Sequence, residues 1–238
     1  MTEVRYYGQA IPGFNETYLP GKLIVVEGTD GVGRSTQIAL LQEWLEGRGF
    51  AVASTGLRRS ELARRGIDRA KQGHTLSDTV LFLLYATDLA DRLESQIIPA
   101  LRAGMVVLTD RYIYSMIARA QVRGADPKWI RQVLGFALVP DAIFYLQADL
   151  PHLIPRVLSE QGGFDYWESG TDFFKGRDLF KNYVRYQTRL LMQFDAIAEE
   201  FSFRRIEANR SIKEIFNELR REVGTIVTTM KRTSGVVT

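Results

Sequence analysis

Short apolar runs rich in β-branched residues alternate along this chain with longer stretches whose apolar positions recur every three or four residues. The first pattern predicts strands at 23–27, 51–55, 105–109, 141–147 and 201–206. The second predicts helices at 35–48, 58–71, 77–104, 113–123, 126–138, 150–160 and 212–227. A further helix is carried by Phe173, Phe180, Tyr183, Val184, Leu190, Leu191, Phe194 and Ile197. Ser77 is placed to cap the 77–104 helix and Gly104 to end it. Pro127 suits the first turn of its helix, whereas Pro155, mid-helix, is expected to kink or shorten the 150–160 segment. The glycine- and aromatic-rich stretch 161–170 reads as a loop. Strands alternating with crossover helices imply an α/β fold in three α/β/α layers, around a mostly parallel five-stranded sheet. Ligands of such sheets lie outside the carboxyl ends of the strands.

Composition narrows the chemistry. The 238 residues are 45% apolar and 25% charged, as in ordinary globular domains. Cysteine is absent and histidine occurs only as His74 and His152. Thiolate metal sites, disulfides and cysteine nucleophiles are therefore excluded, and histidine-rich metal sites lack ligands. The net charge of +3 is mild, which tolerates an anionic small ligand but lacks the strong basic stripe of a nucleic-acid binder. The basic 58–71 helix is expected to present a solvated face. The longest apolar run, 80–86, has seven residues, far short of the roughly 20 that span a bilayer. Residues 1–20 lack the apolar core of a signal peptide, so a cytoplasmic location is expected.

The most specific local signal follows the first strand: Gly28, Thr29, Asp30, Gly31, Val32, Gly33, Arg34, Ser35, Thr36. This fills the P-loop pattern G-x-x-x-x-G-K-[ST] except that Arg34 replaces the lysine. In a P-loop NTPase-type fold the glycines let backbone N–H groups wrap a phosphate, and the following helix N-terminus adds partial positive charge. Ser35 is placed to ligate Mg²⁺ and Thr36 to bond a phosphate oxygen. Arginine keeps the lysine's charge but spreads it over a wider planar fork.

Residues 26–37 resemble the opening of thymidylate kinases, F-E-G-x-D-G-x-G-K-S-T-Q. Residues 98–112 are similar to that family's I-x-P-A-L-x-x-G-x-x-V-I-x-D-R-Y, and Pro140, Asp141, Tyr145, Leu146 and Asp149 to its P-D-L-T-x-Y-L-x-V-D. The resemblance spans about 22–227 and implies transfer of a phosphoryl group from Mg·ATP to a nucleoside monophosphate, with dTMP the best single acceptor. It implies ATP binding by residues 28–36 and Arg156, catalysis by Arg34, Asp110 and Arg111, and Mg²⁺ held by Ser35 and Asp110. Acceptor binding falls to Asp30, Arg58, Tyr85, Arg111 and Tyr112, and a homodimer is implied. Domain organisation follows: an extension at 1–21, a kinase-like domain at 22–230 with its lid at 161–170, and a tail at 231–238.

Three departures stand beside Arg34. The family's R-E-P-G-G segment is replaced by residues 55–60, where Arg58 and Arg59 are the candidates for the lost phosphate contact. The arginine that reads the thymine edge is Leu89, and the lid's D-R-x-E becomes Asp165, Tyr166, Trp167, Glu168 without an arginine. Losing a buried donor loosens selection of a polar base edge. The alternative reading is a nucleotide-binding protein of the same fold with weakened or lost kinase activity.

Overall fold

The computed structural model describes residues 4–14, 17–73, 76–174 and 178–230. His74 and the expected 231–238 tail lie outside the described residues. Five parallel strands form one sheet: β1 (Lys22–Glu27), β2 (Val52–Gly56), β3 (Val106–Asp110), β4 (Ala142–Gln147) and β5 (Arg204–Glu207), in the order β2-β3-β1-β4-β5. Helices join them: α1 (Arg34–Glu46), α2 (Arg64–Gly73), α3 (Asp78–Arg92), α4 (Ile98–Arg102), α5 (Ile113–Val122), α6 (Pro127–Val133), α7 (Leu150–Gln161), α8 (Leu179–Glu200) and α9 (Ile212–Val227).

Both sheet faces are dry, which explains the unbroken apolar strands. Leu23, Val25, Val107, Ile143 and Tyr145 point into a core shared with α3, α4, α5 and α8. The intervening Ile24, Val26, Val106, Leu108, Phe144 and Leu146 meet α1, α7 and α9 on the other face. Register brings the functional ends level: Asp110 pairs with Val26 on one side and with Gly56 on the other.

The expected elements are present, with informative shifts. The 77–104 helix begins as expected, with Ser77 Oγ accepting from the Val80 N–H, and ends at Gly104 with φ +76°. Between these ends it is interrupted by a π-helical turn, Leu93–Ile97, just before Pro99, whose missing N–H makes regular pairing impossible there. Pro155 does not shorten α7, which continues to Gln161. α2 starts at Arg64 because Arg58 turns the chain at φ +64°. α6 stops at Val133 rather than 138. β5 is confined to 204–207, since 201–203 finish α8 through Ser202 at φ +53°. The N-terminal segment docks on the domain: Val139 N–H bonds the Arg5 carbonyl at 2.8 Å, and Tyr7 meets the Tyr114 hydroxyl at 2.5 Å.

One buried ion pair anchors the β2–α2 connection to α3. Asp88 and Arg92, both with fully buried side chains, meet at 2.9 Å. Asp88 also accepts the Arg58 and Ser60 N–H groups at 3.1 and 2.9 Å. Removing one member of such a pair strands a charge, at roughly 3–5 kcal/mol. Asp88→Ala should therefore lower the urea midpoint steeply. Adding Arg92→Leu should recover part of the loss, but not the part belonging to the two loop N–H groups.

Candidate functional site

The switch in strand order falls beside β1 and β3, and their carboxyl ends carry the polar motifs. β1 ends in Glu27 and runs straight into the loop 28–33, which closes onto α1. Two glycines there are sterically obligatory. At Gly31, φ +75°, a Cβ would lie 2.6 Å from Val157, and at Gly28, φ +149°, it would lie 2.8 Å from the Leu146 carbonyl. No side chain caps α1, so its first-turn N–H groups are available to an anion.

Arg34 does not project away from this loop. Its Nη1 donates to the Gly28 carbonyl at 2.8 Å and to the Thr29 carbonyl, and its Nε donates to Asp110 Oδ1 at 2.7 Å. Ser35 Oγ donates to Asp110 Oδ2 at 3.0 Å. The expected pair of Mg²⁺ ligands is thus in contact, with Arg34 leaning on the same carboxylate. Thr36 is exposed on the first turn of α1.

Arg111 owes its position to backbone geometry. The chain leaves β3 at Asp110 and turns through φ +68° at Arg111, which sends that guanidinium inward. It donates to Asp30 and, at 2.9 Å, to Ser115 Oγ. Ser115 Oγ donates in turn to Glu27 Oε2 at 2.5 Å, while Glu27 Oε1 accepts the Tyr112 N–H at 2.8 Å. The same turn carries Tyr112 away from the site. Its ring is wholly buried in the core and its hydroxyl bonds the Leu138 carbonyl at 3.2 Å, so it does not face an acceptor. Arg156 donates to the Ala208 carbonyl at 3.1 Å, near the end of β5. Leu89 is core.

Two adjoining cavities lie on this side of the site, one of them reaching Asp30. One, of about 400 Å³, is walled by Phe82, Tyr85, Met116, Trp129, Trp167 and Tyr186. The other, of about 320 Å³, is lined by Arg58, Arg59, Arg64, Arg111, Arg119, Asp30 and Glu168. Leu57, Lys71, Tyr85 and Arg119 line both. The segment following α7 is pinned over the aromatic chamber: Arg123 holds Asp172 at 2.8 and 3.1 Å, and the Trp167 indole N–H bonds the Lys71 carbonyl at 3.1 Å.

Sequence reasoning passed over Glu27, Asp88, Ser115 and Arg119. Arg119 lies four residues after Ser115 on α5, a helical spacing that puts both on one face. Glu27 was visible as a charge ending an apolar strand. Among the described residues no group of three or more histidine, cysteine or acidic side chains is arranged to hold a metal.

A parallel sheet of this order, with a glycine loop wrapped on the N-terminus of α1 and a serine–carboxylate pair at its rim, defines a P-loop kinase-type α/β fold. The family model for thymidylate kinase matches residues 26–219. A protein named probable thymidylate kinase 2 from Saccharolobus solfataricus is 35% identical over 205 residues, covering 86% of this chain and 96% of its own. The thymidylate kinase of Leifsonia xyli subsp. xyli is 34% identical over 218 residues, covering 86% and 95%. A probable thymidylate kinase from Pyrococcus horikoshii is 41% identical over 143 residues, 58% and 70% of the two chains. The chain belongs to the thymidylate kinase family.

The charges constrain each other. Burial opposes ionisation of Asp30, but Arg111, Arg119 and Arg34 together hold its carboxyl well below the usual aspartate range. Asp110 is likewise held low, against burial, by Arg34 and Arg111. Burial raises Glu27, with Arg111 and Ser115 only partly opposing it. Burial, with Arg34 adding, lowers Arg111 to about 10. The stability contributed by Asp30 and Asp110 is complete above the free aspartate value of about 4 and is lost as pH falls toward their depressed values. Asp30→Asn should lose less stability than the parent between pH 6 and pH 3, read by urea titration at both.

Proposed function

We propose that this protein is an ATP-dependent nucleoside monophosphate kinase that transfers the ATP γ-phosphoryl group to a nucleoside monophosphate, with dTMP as its acceptor. The observation that carries the reading is the arrangement around Asp30: it lies in the glycine loop and lines a basic chamber, which adjoins an aromatic chamber at Tyr85 and Arg119. A flat base, a sugar and a phosphate match that sequence of environments. Phosphoryl transfer asks for positioning and for positive charge around oxygens rather than for covalent chemistry.

In this reading residues 28–36 cradle the donor phosphates through backbone N–H groups. Arg34 trades its loop carbonyls for phosphate oxygens, which match a guanidinium fork as acceptors. Ser35 and Asp110 supply the one or two protein oxygens by which Mg²⁺ is commonly held beside phosphates. The ion, when bound, would neutralise charge on the donor phosphates. Arg111, fixed by Asp30 and Ser115, holds the acceptor phosphate, and Tyr85 faces the base. Arg58 lines the basic chamber but is tied to Asp68 at 3.1 Å, and Arg156, bonded to the Ala208 carbonyl beyond β5, is given a contact to ATP.

Val80 and Leu83, exposed one turn apart on α3, are the apolar positions this reading gives to a homodimer contact, and sedimentation equilibrium reads the mass. No helix among the described residues is long and apolar enough to cross a membrane.

Purified protein with Mg·ATP should release ADP only when a monophosphate is added, and fastest with dTMP in a panel of monophosphates. ATP binding without acceptor-dependent turnover would sink the kinase reading and leave a nucleotide-binding protein. Arg111→Ala should lower kcat/KM by about 10²- to 10³-fold, as for loss of one preorganised charge-stabilising donor. Arg34→Ala should weaken ATP binding about 10- to 100-fold by titration calorimetry; unchanged binding would remove Arg34 from the cradle.

A further inference from the structure

The acceptor side holds a second arginine, half-buried, that the motifs do not name. Arg119 projects from α5 into the boundary between the aromatic and basic chambers and lines both. Its Nη2 donates to Asp30 Oδ2 at 2.8 Å, while Asp30 Oδ1 receives Arg111. One carboxylate therefore seats two guanidinium groups side by side, aimed at the same chamber. The seat is only partly satisfying: Arg119 Nε is buried with no hydrogen-bond partner. A buried donor left unmade is unfavourable, and a guanidinium with unused N–H groups is completed best by a planar or tetrahedral oxyanion.

The alternatives for this anion contact are weaker. Arg58 and Arg59 are exposed, and Arg58 is already engaged by Asp68. Lys71 lies over the Trp167 ring at 5.8 Å, and burial pushes its ammonium toward the neutral form. Arg119 has the opposite balance. Burial works against its charge, but Asp30, with the nearby Tyr186 and Tyr85, keeps it firmly protonated. Arg119 shares the basic chamber with Arg58, Arg59, Arg64, Lys71 and Arg111 against Asp30 and Glu168, so the lining favours an incoming anion.

We propose that Arg119 is a second clamp on the acceptor's phosphate, acting beside Arg111 and taking the place of a phosphate contact from the β2–α2 connection. This rests on the kinase reading of the site. It assigns the ligand class: a nucleoside carrying a terminal phosphate, recognised by a pair of arginines sharing one carboxylate.

The test compares a nucleoside with its monophosphate. Titration calorimetry of the full chain with thymidine and with dTMP gives the affinity that the phosphate adds. Arg119→Gln should weaken dTMP binding by about 10- to 100-fold, the range for charge-assisted hydrogen bonds, and leave thymidine within about twofold. Arg119→Lys, which retains the charge without the fork, should recover part of the dTMP affinity. Loss of thymidine and dTMP affinity in parallel would make Arg119 a structural residue and overturn the proposal. An unchanged ratio in the Gln variant would overturn it as well. If the parent protein binds neither compound, the acceptor-site reading itself falls, an outcome separate from a parent that binds both with a ratio indifferent to Arg119.

Discussion

Three guanidinium groups converge on two carboxylates at the ends of β1 and β3, and the geometry of the site depends on that balance. Asp30 seats Arg111 and Arg119, and Asp110 takes Arg34 and Ser35. Without the carboxylates, three like charges could not stand together in a half-buried cleft; with full neutralisation, no anion would be drawn to it. The basic chamber's further lining, with Arg58, Arg59 and Arg64 against Glu168, keeps the cleft positive. Arg34 grips the Gly28 and Thr29 carbonyls of the glycine loop and the Asp110 carboxylate together.

A deeper layer of acids keeps the cluster in place. Glu27 lies beneath Arg111 and gathers the Tyr112 N–H, the Ser115 N–H and the Ser115 hydroxyl. Asp88, farther from the chemistry, gathers Arg92 and two N–H groups of the β2–α2 connection. Each is buried, and each is tolerable only because several donors surround it. These acids turn apolar elements into precise supports: one sets the turn through which Arg111 enters the site, the other sets where the basic chamber's wall begins.

The aromatic chamber shows the same economy on the acceptor side. Arg123, itself lining that chamber, binds Asp172 and the Tyr186 hydroxyl and so ties the segment beyond α7 to α5. Trp167 reaches back to the end of α2. The aromatic chamber is thus assembled from the β2–α2 connection, α2, α3, α5, α6, the segment after α7 and α8. Its walls are mostly rings and aliphatic groups, which select by shape and stacking more than by hydrogen-bond pattern. That agrees with Leu89 standing in the core where the family resemblance expects a base-reading arginine.

Much of this was legible in the residues. Unbroken apolar runs and period-3.6 patterns located the strands and most helices, because a sheet covered on both faces buries both sides of its central strands. The glycine loop was legible because its backbone conformation admits no other residue at Gly28 and Gly31. The Asp110–Arg111 dipeptide was legible because it follows a strand. What the linear pattern could not show was direction. Tyr112 is adjacent to Arg111 yet points into the core, since one residue at positive φ reverses the side-chain sense. Arg58 and Arg59 were local candidates for a phosphate contact, but Arg119, sixty residues on, is the arginine that the fold carries to Asp30. Pro155 did not shorten its helix, which runs on to Gln161. By itself the sequence determined the fold class, the phosphate loop and the family. Only the tertiary structure decided which arginines share a carboxylate, because charge pairing depends on distances across the sheet's carboxyl edge and not on spacing along the chain.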